Sequence, residues 1–222
     1  MKRRTLPVAA ALAATAALLL TACGGGDDEK SSDNDKINGA DQGSEKKESG
    51  SPSASEGSGS AAKRPEMTLP KDVTETFANW KTGDSTKDAV LADAGRAQTA
   101  VTFAITQGNA DEPALGFYQD GDALVGSAQW VKAIVDSGST YYGKVRYFAP
   151  KLSVIDKDTA SLVYCSDESK AFNKNRKTGK VTKTPASDNS YVTYSTRLNK
   201  NAQGIWQTTK LQSKRGDKTC TP

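Results

Sequence analysis

Three textures follow one another along the chain. From Val8 to Leu20 the residues are almost wholly Ala, Leu and Val. From Gly24 to Glu66 small and polar residues dominate, and Ile37 is the one sizeable aliphatic side chain. From about Leu69 apolar positions return with regular spacing, which predicts folded elements.

The first of these are helical. Val73, Phe77 and Trp80 stand four and three residues apart and suggest a short helix or an apolar turn. Lys81-Thr82-Gly83-Asp84-Ser85-Thr86 breaks that pattern, and Asp84 or Ser85 can cap the next helix. Val90, Ala94, Ala97, Val101, Ala104 and Ile105 predict a helix over 85–107 that stops at Gly108-Asn109. Gly95 costs that helix about 1 kcal/mol relative to Ala, so it marks close packing against a neighbour. Shorter helices are predicted over 113–118 and 127–135, the latter ended by Gly138.

After Ser139 the pattern turns to strands. The run 140–150 is β-rich and interrupted by Pro150, and 151–156 leads into a turn at Asp156-Lys157-Asp158. Residues 160–165, 190–198 and 205–213 read as further strands, with a hairpin turn over 199–204. The polar stretch 171–189 reads as a run of turns or a long hairpin tip. Helices first and strands afterwards indicate an α+β domain, with N-terminal helices packed on a curved antiparallel sheet.

The N-terminal texture assigns a location. Lys2, Arg3 and Arg4 precede an apolar run of about 13 residues, shorter than the ~20 needed to cross a membrane as a helix. Charge, length and a small-residue exit match a secretory signal. Leu20-Thr21-Ala22-Cys23 resembles the bacterial lipobox. That resemblance implies cleavage before Cys23 and acylation of Cys23, hence a lipid anchor on the extracytoplasmic face of the cell membrane. Two or more acyl chains give a stable anchor where one is marginal. The expected organisation is a signal peptide over 1–22, the lipidated Cys23 and a linker over 23–66, and a domain over 67–222. The linker lacks the apolar surface to offset its chain entropy, and its 43 residues after Cys23 would span roughly 35–40 Å as a flexible coil.

Charge and composition narrow the chemistry. Without Lys2, Arg3 and Arg4, 27 basic residues face 26 acidic ones, so no nucleic-acid-binding charge is present. The surplus is uneven: Gly24–Glu66 carries −4 and Met67–Pro222 carries +5. The chain has no histidine, which excludes Ser-His-Asp and Cys-His mechanisms from it. Cys165 and Cys220 remain once Cys23 is set aside, and in an exported domain they read as a disulfide. No metal-ligand spacing is evident, and no cofactor is expected.

A long first helix, two shorter ones and about four long antiparallel strands are similar to the NTF2-like, or cystatin-like cone, family over about 69–211. The lipobox, the Asp/Ser-rich linker, the segment Asp88–Val101 and the strand pair 191–198 and 204–209 also resemble uncharacterised lipoproteins of actinobacteria. The resemblance implies a cone used for ligand binding, protein docking or catalysis, with an internal Asp/His or Asp/Tyr group in its enzymes. The histidine version is not available here.

The residues expected to line or flank the cone are Phe117, Tyr118, Trp130, Tyr142, Tyr164, Tyr194 and Trp206, with Asp93 as an internal acid. Ordinary core packing is the competing role for these rings. Asp93 and Arg96 can share a helix face, and Asp120 and Asp122 flank Gly121 without an EF-hand pattern. The basic stretch 174–183 reads as a solvated loop or a membrane or wall-polymer contact, and Arg215-Gly216-Asp217 as a chance tripeptide. The reading these features favour is a tethered, non-catalytic binder of a small ligand or envelope partner. Its alternatives are an interaction or spacer module with a filled cone that dimerises through its sheet, and a histidine-free enzyme using Asp and Tyr.

Overall fold

The structure, a computed structural model, describes residues 63–222. The signal peptide, Cys23 and the linker up to residue 62 lie outside the described residues.

Helix α1 spans Ser85–Gln107, and its ends are set by local chemistry. Asp84 accepts a hydrogen bond from the Lys87 N–H at 2.9 Å, and Gly108 closes the helix in the left-handed conformation at φ 74°. Helix α2, Pro113–Tyr118, begins with proline in its first turn. Helix α3 is longer than its apolar stripe suggests, Gly121–Asp136, because Asp120 caps it through the Gly121 N–H.

The sheet has the order β1-β2-β3-β5-β6, with β4 added to β3. The strands are β1 Val73–Phe77, β2 Ser139–Val154, β3 Thr159–Asn175, β4 Val181–Thr182, β5 Tyr191–Lys200 and β6 Trp206–Arg215. Pairing is antiparallel except for β1, which runs parallel to β2. The α+β architecture, helices against a curved sheet, is the one the sequence indicates.

Three local expectations are corrected. The segment around Val73 and Phe77 is a strand, not a helix or turn, with Val73, Glu75 and Phe77 facing inward. Pro150 does not end its strand. A register shift between Phe148 and Lys151 absorbs it, with Ala149 at φ 51°, and the ladder resumes. The polar stretch 171–189 is in part strand: β3 runs on to Asn175 and pairs with β4 around a short tip, while 183–187 carries no regular element and Asp188–Ser190 forms a 3-10 turn.

The core lies on both sides of α1. Val90, Leu91 and Ala94 pack with Trp80, Tyr147, Leu162, Tyr164, Leu198 and Trp206. One turn on, Ala97, Ala100, Ala104 and Ile105 pack with Leu115, Tyr118, Val131 and Ile205. The expected close approach at Gly95 is present: a Cβ there would sit 3.3 Å from the Phe77 ring. Cys165 and Cys220 form the expected disulfide, Cα atoms 5.5 Å apart, which ties the chain end to the middle strand.

Candidate functional site

The concave face of the sheet does not close fully on the helices. Between them lies a cavity of about 640 Å³. Alternation along the strands builds its walls. Val73 and Glu75 come from β1, Tyr141, Val145 and Tyr147 from β2, Glu168 and Phe172 from β3, Tyr194 from β5 and Arg215 from β6. Helix α1 contributes Gln98, Val101 and Thr102, and α3 contributes Ser127, Trp130 and Ile134. Gly143 lets β2 pass between its neighbours here: at φ 104°, a Cβ would lie 2.0 Å from the Lys170 carbonyl oxygen.

Three carboxylates line the cavity, Glu75, Glu168 and Asp122, and the first two sit in different settings. Glu168 is fully answered. Arg215 Nη2 donates to its Oε2 at 2.8 Å, and the Ser166 and Tyr194 hydroxyls donate to its Oε1 at 3.0 and 3.4 Å. Glu75 has only neutral donors, Thr102 Oγ1 at 2.6 Å and Thr99 Oγ1 at 2.8 Å. Burial pushes its carboxyl above the ordinary range, and the two threonine hydroxyls only partly oppose that. Glu75 is half-buried and lines the cavity.

The phenols share that environment. Burial raises Tyr141 to about 12, against the opposing hydrogen bond from Trp130 Nε1 at 3.0 Å. It pushes Tyr147 and Tyr194 well above the usual tyrosine value. Tyr147 is 5% exposed, and its hydroxyl has no hydrogen-bond partner among the described residues. All three therefore stay neutral at any physiological pH and act as hydrogen-bonding rings.

The structure divides the expected site residues. Trp130, Tyr142 and Tyr194 line the cavity. Phe117, Tyr118, Tyr164, Trp206 and Asp93 do not. Tyr118, Tyr164 and Trp206 are fully buried core, and Phe117 packs edge-on against Tyr118 at 4.8 Å. Tyr164 lies beneath the cavity, stacked on Tyr194 at 5.0 Å and bonded by Gln98 Nε2 at 2.7 Å. Asp93 is a structural clamp: it accepts from the Trp206 N–H at 3.0 Å and from the Arg64 guanidinium, tying α1 to β6 and to the chain before Met67. It does not pair with Arg96, which reaches the Tyr118 hydroxyl at 3.5 Å. Arg64 therefore works with the domain, although the sequence assigns it to the linker.

The other singled-out residues have structural work. Asp120 is a helix cap, while Asp122 stands at the cavity wall. Arg176, from the basic stretch, turns inward and donates to the Ile105 and Thr106 carbonyls at the end of α1 and to the Ser139 carbonyl. Arg215 and Asp217 of the tripeptide are engaged by Glu168 and by Lys214 at 2.8 and 2.9 Å.

Glu75, Tyr141, Tyr147, Glu168 and Arg215 escape the sequence reading. A period-two reading of Val73–Phe77 and Tyr141–Tyr147 would have placed the first three inward. A second hollow of about 710 Å³ lies beside α1, bounded by Met67, Trp80 and Arg96. Its charges are either exposed, as at Lys81 and Arg96, or committed to the turn before α1, as at Asp88. It singles out no ligand chemistry.

No family model and no curated protein matches the sequence. Solved structures do match. A ketosteroid isomerase-like protein from Erwinia carotovora atroseptica SCRI1043 is 20% identical, with 56% of this chain and 94% of that chain covered and a TM-score of 0.37. The intermembrane space region of the chloroplast protein ARC6 is 13% identical over 60% of this chain and 99% of its own, at 0.36. A candidate ketosteroid isomerase from Shewanella frigidimarina NCIMB 400 is 13% identical over 63% of this chain and all of its own, at 0.31. The architecture of the domain rests on this chain's own element order and strand register.

Proposed function

We propose that this chain is a lipoprotein, anchored through Cys23 on the extracytoplasmic face of the membrane, whose domain holds a small, partly apolar ligand in its cone without altering it. The cavity of about 640 Å³ carries this reading. It has the size and the mix of rings and few polar tips that small-ligand sites share. The same cavity weighs against an internally filled cone, the premise of the spacer alternative.

The two halves of the proposal have separate tests. Metabolic labelling with radioactive palmitate should mark the wild-type chain and not Cys23→Ser; equal labelling removes the anchor. For the cone, small molecules extracted from the envelope should raise the melting temperature of the full chain. Val101→Trp, which fills the cavity from α1, should abolish that rise. A rise of equal size in the filled variant would place binding elsewhere.

One observation favours a second reading. Glu75, its pKa raised by burial, lies in the same cavity as the unpartnered Tyr147 hydroxyl, an arrangement suited to proton transfer. This reading requires a compound that is converted by the wild type and left intact by Glu75→Gln while still bound.

A further inference from the structure

We propose that the ligand of the cone is an organic cation: an apolar body carrying an ammonium group that lies against Glu75. This rests on the reading that the cone holds a small ligand, and adds the chemistry it selects.

Charge sets the sign of the guest. Met67–Pro222 carries 21 basic and 16 acidic residues, yet its cavity has the opposite balance. Glu75, Glu168 and Asp122 line it against a single guanidinium, Arg215. That guanidinium is already used, by Glu168 at 2.8 Å and by the Asn189 carbonyl at 2.7 Å. A cavity of this sign in a basic domain disfavours an anion and favours a cation.

Glu75 locates the cation. It is a cavity-wall carboxylate with no cationic partner among the described residues. Burying a carboxylate is unfavourable unless a charge or several donors answer it. A neutral ligand would strip more water from Glu75 and leave it unanswered. An anion would add repulsion. An ammonium group supplies the missing charge, and in water-poor surroundings such a pair is strengthened.

The rings around it fit the same guest. Tyr141, Tyr147, Tyr194 and Trp130 line the cavity, and an ammonium against such ring faces gains a cation–π attraction. The phenols do not titrate in the accessible range. The unpartnered Tyr147 hydroxyl can meet an N–H donor or a polar atom on the ligand body.

The groups facing Glu75 are few. Helix α1 offers Gln98, Thr99 and Thr102; β2 offers Tyr141 and Tyr147; β3 offers Tyr164 and Glu168; β5 and β6 offer Tyr194 and Arg215; and α3 offers Asp122. Burial raises the Glu75 carboxyl above the ordinary carboxylate range, so its ionisation adds a pH dependence there.

Three probes of similar shape test this on the full chain: benzyltrimethylammonium, its uncharged isostere neopentylbenzene, and phenylacetate. Their dissociation constants are measured by ligand-observed NMR on wild type and Glu75→Gln, with melting curves to show that the variant is folded. The cation should bind about tenfold or more tightly than the isostere. Its affinity should rise with pH as Glu75 ionises, and the probe itself does not titrate. Glu75→Gln should remove most of the preference and the pH dependence while leaving the isostere unchanged. Equal binding of cation and isostere, or tighter binding of phenylacetate, overturns the cation and leaves the cone as a ligand site. Binding of none of the three overturns both.

Discussion

At the scale of single residues, position within the fold decides what an acid does. Asp93 and Glu75 are both withdrawn from bulk water, yet only Asp93 has an arginine. Asp93→Ala removes the acceptor of the Trp206 N–H and the partner of Arg64, and should lower the unfolding free energy by about 2–3 kcal/mol in urea titration. A chain beginning at Met67 should show part of the same loss, because it lacks Arg64. Glu75 behaves oppositely. Its folded pKa lies above the unfolded value, so the side chain is protonated in both states at low pH and ionised in both at high pH. The folded state is penalised progressively as pH rises through the window between those two values. Comparing unfolding free energies at about pH 4 and about pH 7 should therefore show Glu75→Gln gaining on the wild type as pH rises. A gap that stays flat would mean that Glu75 is not desolvated.

At the scale of elements, anchoring contacts come from distant parts of the chain. The C-terminal end of α1 has no basic residue in its last turn, and Arg176 supplies the charge from the loop after β3. Arg176→Met should cost about 1 kcal/mol and speed amide exchange at the Gly108 and Asn109 N–H groups that close the helix. Replacing Cys165 and Cys220 together by alanine releases the C-terminal turn, and should lower stability by up to ~4 kcal/mol for a separation of 55 residues. These contacts are invisible locally, which explains what the sequence revealed and what it hid. The bounds of α1 were legible because Asp84 and Gly108 write them in adjacent residues. The strand β1 was not, because Val73, Phe77 and Trp80 also satisfy a helical spacing and an inward Glu75 interrupts the apolar alternation. The aromatic content of the domain was plain, but its division between core and cavity depended on strand register. Alternation along β2 carries Tyr141, Val145 and Tyr147 to the cavity, but nothing in the local pattern says which face of the strand points inward, so Tyr142 was chosen and Tyr141 and Tyr147 were passed over.

At the scale of the whole molecule, the described domain packs helices and sheet around an unfilled space. Helix α1 packs on both sides of its length, the disulfide fixes the chain end, and Arg64 and Asp93 lock the entry to the fold. The cone keeps the cavity open while its rings remain held by strands, as a binding site placed on regular elements should be. The central claim is that this cavity takes a small molecule. Native mass spectrometry of the full chain, purified from its own host, tests it most directly. The claim predicts an added mass that leaves on denaturation, and that is absent from Val101→Trp prepared in the same way. A wild-type chain that carries no added mass, with no change in melting temperature against envelope extracts, would contradict it, and a bare dimer would move the protein's role to the sheet face.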